Sequence, residues 1–193
     1  TDFAAKDSSF LSFAEKVKTY ITENKVTDIN SLEDSSLEEE RKTLIQTIGE
    51  NIQLRRIETL DFTSEMKKGL YMHFDSKLAA IVITKDGSDE VARNVAMHVS
   101  AFNPLCLSED DIDKDVLERE KAIFANQAQE SGKPQEIMDK IVEGKVKRFL
   151  SEVSLLSQDF VKDSEITVHE YLNQNSAIAL DFVRLKVGEG IEV

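Results

Sequence analysis

The stretch from residue 70 to residue 102, LYMHFDSKLAAIVITKDGSDEVARNVAMHVSAF, decides the fold class of this 193-residue chain. Two apolar segments, LYMHF at 70–74 and KLAAIVI at 77–83, are separated by Asp75 and Ser76, which is typical of two strands joined by a tight turn. The segment KDGSDE at 85–90 ends the second strand and caps the following helix. That helix has apolar residues at a helical spacing: Val91, Val95, Ala96, Val99 and Phe102. A strand hairpin leading into an amphipathic helix predicts an α+β fold.

Upstream of this stretch, the pattern predicts two helices and one strand. A capping residue among positions 7–9 begins the first helix, which runs to about Asn24. The second helix covers Leu37–Ile48 and ends at Gly49, because glycine readily adopts the left-handed conformation of a helix C-cap. The segment Asn51–Leu60 is predicted to be a strand.

Downstream, two helical stretches flank Gly132 and Pro134, which predicts a helical hairpin. Gly132 suits a C-terminal cap, and Pro134 suits the first turn of the returning helix. Each arm has an apolar stripe that can bury the other in an antiparallel coiled coil. The outgoing stripe contains Val116, Leu117, Ile123, Phe124 and Ala128, and the returning one Ile137, Met138, Ile141, Val142, Val146, Phe149 and Leu150. A short helix is expected near Thr167–Asn173 and a last strand over Ala177–Val187.

A weak internal repeat predicts the domain organisation. The apolar residues Ile52, Leu54 and Ile57 align with Ile178, Leu180 and Val183, and both segments lose their period-two alternation at the same place, which predicts a β-bulge or a change of covered face. A second alignment, of the helix around Phe13 with the helix around Val95, leads us to expect a strand pair before Thr1. We therefore predict two related subdomains with small antiparallel sheets, 1–61 and 62–107 with 153–193, and an inserted hairpin at 108–152.

Composition limits the classes of partner. The net charge of -13 argues against nucleic-acid binding, which depends on clustered Lys and Arg. No apolar run approaches the roughly 20 residues that a membrane span needs. Cys106 is the only cysteine, which excludes an internal disulfide and a zinc site built from thiolates. A lone cysteine fits a reducing, cytoplasmic setting, and no secretory-signal pattern is seen at Thr1.

The sequence offers no convincing catalytic or metal-binding motif. Asp111, Asp113 and Asp115 alternate as in a calcium loop, but Val116 stands where the turn needs Gly and Ala122 where a bidentate Glu is needed. The three histidines lie on different predicted elements, and none is paired with a nucleophile in a recognisable motif. On its helix, His98 is interpreted as a partly buried, hydrogen-bonded residue. We therefore expect no enzyme activity, metal or cofactor.

Two places could contact a partner. If Leu70, Met72 and Phe74 face a helix, Tyr71 and His73 point outward, either as a contact pair or, about twice as commonly, as ordinary surface residues. The second place is Phe3, just before the first helix. It is either a hydrophobic staple under that helix, which the pattern alone favours, or a projecting wedge.

Five separated segments occur in an order that resembles the elongation factor Ts family over nearly the whole chain. They are TDFAAKD, IGENIQLRRIETL, VAMHVSA, ESGKPQEIMDKIVEGKVKRFLSEVSLLSQDFVKD and VGEGIE. The resemblance implies two related α+β subdomains with an inserted coiled-coil hairpin, without the N-terminal helical domain of the family. It also implies guanine-nucleotide exchange on elongation factor Tu, GDP-bound or nucleotide-free, during translation elongation.

The resemblance also assigns contact residues. Asp2 and Phe3 match the Asp and Phe pair that the family places against the GTPase domain, beside the magnesium and phosphate site. His73, preceded by Tyr71, matches the histidine of the strand hairpin. The turn after His73 departs from the glycine-rich family pattern, since it contains Phe74 and Asp75. The alternative is a structural dimerisation module whose coiled-coil hairpin pairs two chains and which has no exchange activity.

Overall fold

The computed structural model describes residues 3–33, 35–130 and 132–189. The chain divides into two compact units, Thr1–Thr59 and Leu60–Val193. In chain order the described elements are α1 Ser8–Asn24, α2 Ser36–Ile48, β1 Met66–Met72, β2 Leu78–Asp86, α3 Asp89–Phe102, α4 Lys114–Gln129, α5 Gln135–Val153, β3 Asp159–Phe160, β4 Asp163–Thr167, α6 Val168–Gln174 and β5 Ala177–Lys186. Helices and small antiparallel sheets confirm the predicted α+β class.

The first unit is built around the helices α1 and α2. The Asp7 side chain accepts a hydrogen bond from the Ser9 backbone N–H and caps α1, and Gly49, at φ 78°, ends α2. The start of α1 and the end of α2 lie where the sequence predicted them. The two helices bury a small apolar cluster that consists of Phe13, Val17, Leu32, Leu37 and Leu44.

The prediction of a strand over Asn51–Leu60 is wrong, because these residues form neither a strand nor a helix. A strand requires a partner for its backbone hydrogen bonds, and the described residues of the first unit contain no second strand for this segment to pair with. Its apolar residues Ile52, Leu54 and Ile57 instead pack, half-buried, on the cluster between α1 and α2. The Arg41 side chain donates to the Ile52 carbonyl at 2.5 Å.

The second unit contains a three-stranded antiparallel sheet in the order β1-β2-β5. Its register places Gly69 opposite Val82 and Tyr71 opposite Ala80. On the other side of β2, Ile83 pairs with Asp181 and Thr84 with Ala179, so Leu180 is an extra residue. This β-bulge confirms the irregularity that the sequence predicted in the last strand.

Helix α3 covers one face of this sheet and forms the core. Its residues Val91, Ala92, Val95, Ala96 and Val99 are buried against β1, β2 and β5. A Cβ built on Gly69 would lie 2.0 Å from the Ala92 carbonyl carbon and 2.0 Å from the Arg93 nitrogen. Strand β1 therefore needs glycine at this position, because any larger residue would occupy the space of the α3 backbone.

Helices α4 and α5 lie against each other in opposite directions. The rings of Phe124 and Phe149 meet edge-on, with centroids 6.3 Å apart, and Lys145 donates to the Gln127 side chain at 2.5 Å. Gly132 lies in the connection and has the predicted left-handed conformation, at φ 65°, whereas the residue that caps α4 is Glu130. Pro134 immediately precedes the first turn of α5. The coiled-coil packing of this pair stays a prediction.

The chain enters and leaves this helical pair at one place. Residues 105–107 lie alongside residues 153–156, with a parallel bridge between Cys106 and Ser154. Three backbone N–H groups donate across it, from Leu105 to the Val153 carbonyl, from Leu155 to the Cys106 carbonyl and from Leu156 to the Leu107 carbonyl, at 2.8, 2.9 and 3.0 Å. These bonds hold the base of the helical pair closed.

Candidate functional site

Phe3 lies at the start of the first unit, just before α1. Its carbonyl accepts from the Lys6 backbone N–H at 3.1 Å, which begins a 3-10 turn over Ala4–Lys6, and Ala4 is buried. The Phe3 side chain is nonetheless 79% exposed. The staple interpretation is therefore wrong, because a staple must pack against the helix it precedes. Asp2, the other predicted residue of this pair, lies outside the described residues.

The Asp7 carboxylate holds the turn that follows Phe3. It accepts hydrogen bonds from both the backbone N–H and the hydroxyl of Ser9. These bonds lower the pKa of Asp7, since they stabilise the charged form. A helix cap of this kind orders the first turn of α1 and, with it, the backbone from which Phe3 projects.

Tyr71 and His73 come together at the end of the strand hairpin. The Tyr71 hydroxyl lies 3.3 Å from His73 Nδ1, within hydrogen-bonding distance, and the ring centroids are 6.3 Å apart. The hydroxyl donates to Nδ1 when that nitrogen is unprotonated, which leaves the ring proton on Nε2. The strands that position these two side chains are themselves held by α3.

The predicted orientation of this hairpin is wrong. Tyr71 packs, half-buried, against the core on the α3 side of the sheet, whereas Leu70, Met72 and Phe74 are 54%, 56% and 91% exposed. The reason is Gly69, which shares its face with Tyr71 and lets α3 approach closely. The apolar residues of β1 suggested the opposite face, and the glycine inside a strand was the signal that could have corrected the prediction.

Phe74 is a further residue of the hairpin tip, and the sequence did not predict it as a site residue. Its ring centroid lies 4.5 Å from that of His73, at an interplanar angle of 50°. The available signal was an aromatic residue at the end of a predicted strand, directly before the turn at Asp75 and Ser76, where a buried position is not expected. Three aromatic rings, those of Tyr71, His73 and Phe74, thus form a continuous row at the tip of the hairpin.

His98 is hydrogen-bonded, as predicted, but it is fully rather than partly buried. Its Nδ1 accepts from the Val161 backbone N–H at 3.1 Å, and its Nε2 lies 2.9 Å from the Gln158 side-chain oxygen. Nε2 therefore carries the proton and donates to Gln158. Burial lowers the pKa of His98, since the charged ring would be costly to desolvate.

No cluster of potential metal ligands occurs among the described residues. The third histidine, His169, lies beside the Asn173 amide at 2.9 Å. Within the ranges given above, no group of three His, Cys, Asp or Glu side chains is placed to hold a metal ion. Across the same part of the chain, every helix is too short or too polar to cross a membrane. Phe3 and Phe74 have the most exposed large apolar side chains that the structure describes.

The fold is α+β, and the candidate contact residues are aromatic: Phe3 in the first unit, and the row of Tyr71, His73 and Phe74 in the second. Comparison with known proteins specifies the class further. The family model described as Elongation factor TS matches residues 1–189. The chain belongs to the elongation factor TS family.

Several curated relatives, each called Elongation factor Ts, align with the whole of this chain. Identity is 42% over 192 residues with the protein of Hahella chejuensis and 42% over 198 residues with that of Psychrobacter arcticus, and in both cases 66% of the relative is covered. The protein of Legionella pneumophila is 41% identical over 198 residues, with 67% covered. The chain thus spans about two thirds of the length of the curated relatives it matches.

Proposed function

We propose that this chain is a guanine-nucleotide exchange factor that promotes GDP release from elongation factor Tu during translation elongation in the cytoplasm. The observation that carries the proposal is the family match over residues 1–189, which includes the segment with Phe3. The partner is elongation factor Tu in its GDP-bound or nucleotide-free form, and no nucleic acid or membrane takes part.

In this proposal Phe3 is the wedge. A phenylalanine that is 79% exposed contributes little to the core of its own unit, so its apolar surface is available to a partner. Burying it between helices of the GTPase domain, beside the magnesium and phosphate site, would stabilise the complex by about 1.5–3 kcal/mol. Asp2 supports the shift that loosens magnesium and phosphate, and His73, held by Tyr71, presses on the same domain.

Exchange of this kind needs no catalytic group. A protein that binds the nucleotide-free GTPase more tightly than the GDP-bound form must weaken GDP binding by the same factor, because the two binding equilibria are linked. The wedge provides the difference in affinity between the two states. The function therefore rests on contact residues, and the chain itself carries out no bond chemistry.

The proposed architecture keeps the division made from the sequence. Residues 1–61 form one core subdomain, 62–107 with 153–193 form a related one, and 108–152 form an inserted coiled-coil hairpin. The antiparallel contacts between α4 and α5 support the hairpin. The ladder at 105–107 and 153–156 supports its insertion at a single point of the second subdomain.

The test is release of fluorescent GDP from elongation factor Tu in the presence of the chain and its variants. We expect Asp2→Ala with Phe3→Ala to slow release at least tenfold, since each 1.4 kcal/mol changes a rate tenfold. Leu11→Ala is the matched control, because Leu11 is an exposed apolar residue, 54% accessible, on the helix that follows Phe3. Release that is equally fast with the double variant would refute the role of Asp2 and Phe3.

The alternative is a dimerisation module without exchange activity. It is favoured by the half-exposed Ile123 and Ile137 on the helical pair, each 46% accessible, which could meet a second copy. Sedimentation of the isolated chain separates the two functions. A tight self-dimer that leaves GDP release unchanged supports the alternative, whereas a monomer that accelerates release supports exchange.

A further inference from the structure

We propose that Phe74 is a positioning residue for His73 in the exchange reaction. This inference rests on the function proposed above and adds a residue to the same site. It follows from three features of the hairpin tip: a backbone that fixes His73, a row of aromatic rings and a Phe74 side chain that contributes almost nothing to the core.

The backbone of His73 is fixed on both sides. Its N–H donates to the Leu78 carbonyl at 2.8 Å, which closes the hairpin, and its carbonyl accepts from the Ser76 N–H at 2.9 Å. The Asp75 side chain accepts from the Lys77 N–H at 3.0 Å, and Ser76 takes the left-handed conformation at φ 57°. The turn therefore begins at His73 and has a defined shape.

This turn places Phe74 on the same side as His73. Successive side chains of a regular strand point to opposite faces, but β1 ends at Met72, before either residue. The chain bends at His73, and the two rings meet with centroids 4.5 Å apart. His73 also has the Tyr71 hydroxyl, 3.3 Å from Nδ1. Contacts with both Tyr71 and Phe74 thus restrict the imidazole and favour one orientation of Nε2.

Because Phe74 is exposed, replacing it can change the orientation of His73 with little effect on the stability of the fold. The side chain is 91% exposed, the highest value among the large apolar residues of the described chain, so replacing it removes little buried surface. An aromatic pair adds a modest stabilisation of one orientation. Loss of that pair therefore lowers the population of the His73 orientation that binds the partner, without unfolding the hairpin.

The first experiment reads the free protein by NMR. In the unmodified chain, the ring protons of His73 and Phe74 should show nuclear Overhauser contacts, and the His73 ring resonances should be displaced by the Phe74 ring current. We expect Phe74→Leu to remove the contacts and move these resonances, with the rest of the spectrum unchanged. Phe62→Leu is the matched control, because Phe62 is a half-exposed aromatic whose ring lies under Lys68. Unchanged His73 resonances in Phe74→Leu would overturn the inference.

The second experiment is a double-mutant cycle of GDP release from elongation factor Tu. We expect Phe74→Ala and Phe74→Leu each to slow release about twofold to tenfold, and Phe74→Tyr to restore the rate. In a His73→Ala background, Phe74→Ala should have no further effect, because a residue that acts through His73 loses its role with it. Additive losses would overturn positioning and make Phe74 an independent contact. If the unmodified chain does not accelerate release, the proposed function fails, and the NMR result alone decides the positioning.

Discussion

Replacing Gly69 by alanine tests the packing that positions the hairpin. The new Cβ would lie 2.0 Å from the Ala92 carbonyl carbon, about 1.4 Å short of van der Waals contact. The Ala92 carbonyl carbon and the Arg93 nitrogen, each 2.0 Å from the new Cβ, belong to the α3 backbone, so a side-chain rotation cannot relieve the clash. Helix and strand must separate by about that distance, which opens gaps beside Val91 and Val95, both buried. Overpacking costs 1–3 kcal/mol in typical cores, and this site should cost about 3 kcal/mol or more.

The assay is thermal unfolding followed by circular dichroism, with urea titration for the free energy of unfolding. A loss of about 3 kcal/mol should lower Tm by about 10 °C for a unit of this size. Gly144→Ala is the matched control, since Gly144 lies inside α5 and its added Cβ meets nothing within 4 Å. Alanine there should stabilise the chain by about 0.5–1 kcal/mol. Equal melting temperatures of Gly69→Ala and the unmodified chain would contradict the predicted clash.

Three further predictions concern the buried residues of the second unit. Because the folded-state pKa of His98 lies below its ordinary value of 6.5, its contribution to the free energy of unfolding is complete above that value and is lost as pH falls towards the folded-state pKa. In urea titrations between about pH 7 and pH 5, the free energy of unfolding should fall less for His98→Gln than for the unmodified chain. An equal fall in both proteins would contradict this prediction. Burial raises the pKa of the Cys106 thiol, so alkylation by iodoacetamide at neutral pH should be slow until urea unfolds the chain; equal rates with and without urea would argue against it. Leu155→Ala should cost about 2–5 kcal/mol, because Leu155 is fully buried, whereas Leu105→Ala, at a position 55% exposed, should cost under about 0.5 kcal/mol; similar losses from the two would count against the described core.

Features fixed by local chemistry were predictable from the sequence. The cap at Asp7, the stop at Gly49 and the cap at Ser88 each depend on one residue and its nearest backbone groups, and the helices begin and end there. The strand hairpin and the bulged last strand were also predictable, because alternation and its interruption are properties of short segments.

Features that depend on distant partners were not predictable. Residues 51–60 have the composition of a strand, but a strand exists only when another segment takes up its hydrogen bonds. The covered face of β1 was misassigned because apolar content favoured Leu70 and Met72, whereas the close approach of α3 at Gly69 selects the other face. At the candidate site, the resemblance supplied Phe3, Tyr71 and His73, but the contact between His73 and Phe74 depends on the turn geometry.

The short ladder between residues 105–107 and 153–156 means that the chain leaves and re-enters the sheet-and-helix layer at nearly the same point. When backbone hydrogen bonds close a loop at its base, the closure depends little on the length of the loop, because the closure entropy changes only slowly as the loop is lengthened. We therefore expect the helical arm beyond Leu107 to tolerate shortening, extension or exchange by whole turns while the layer keeps its own register. On this expectation, the arm and the layer are two parts that can be changed independently.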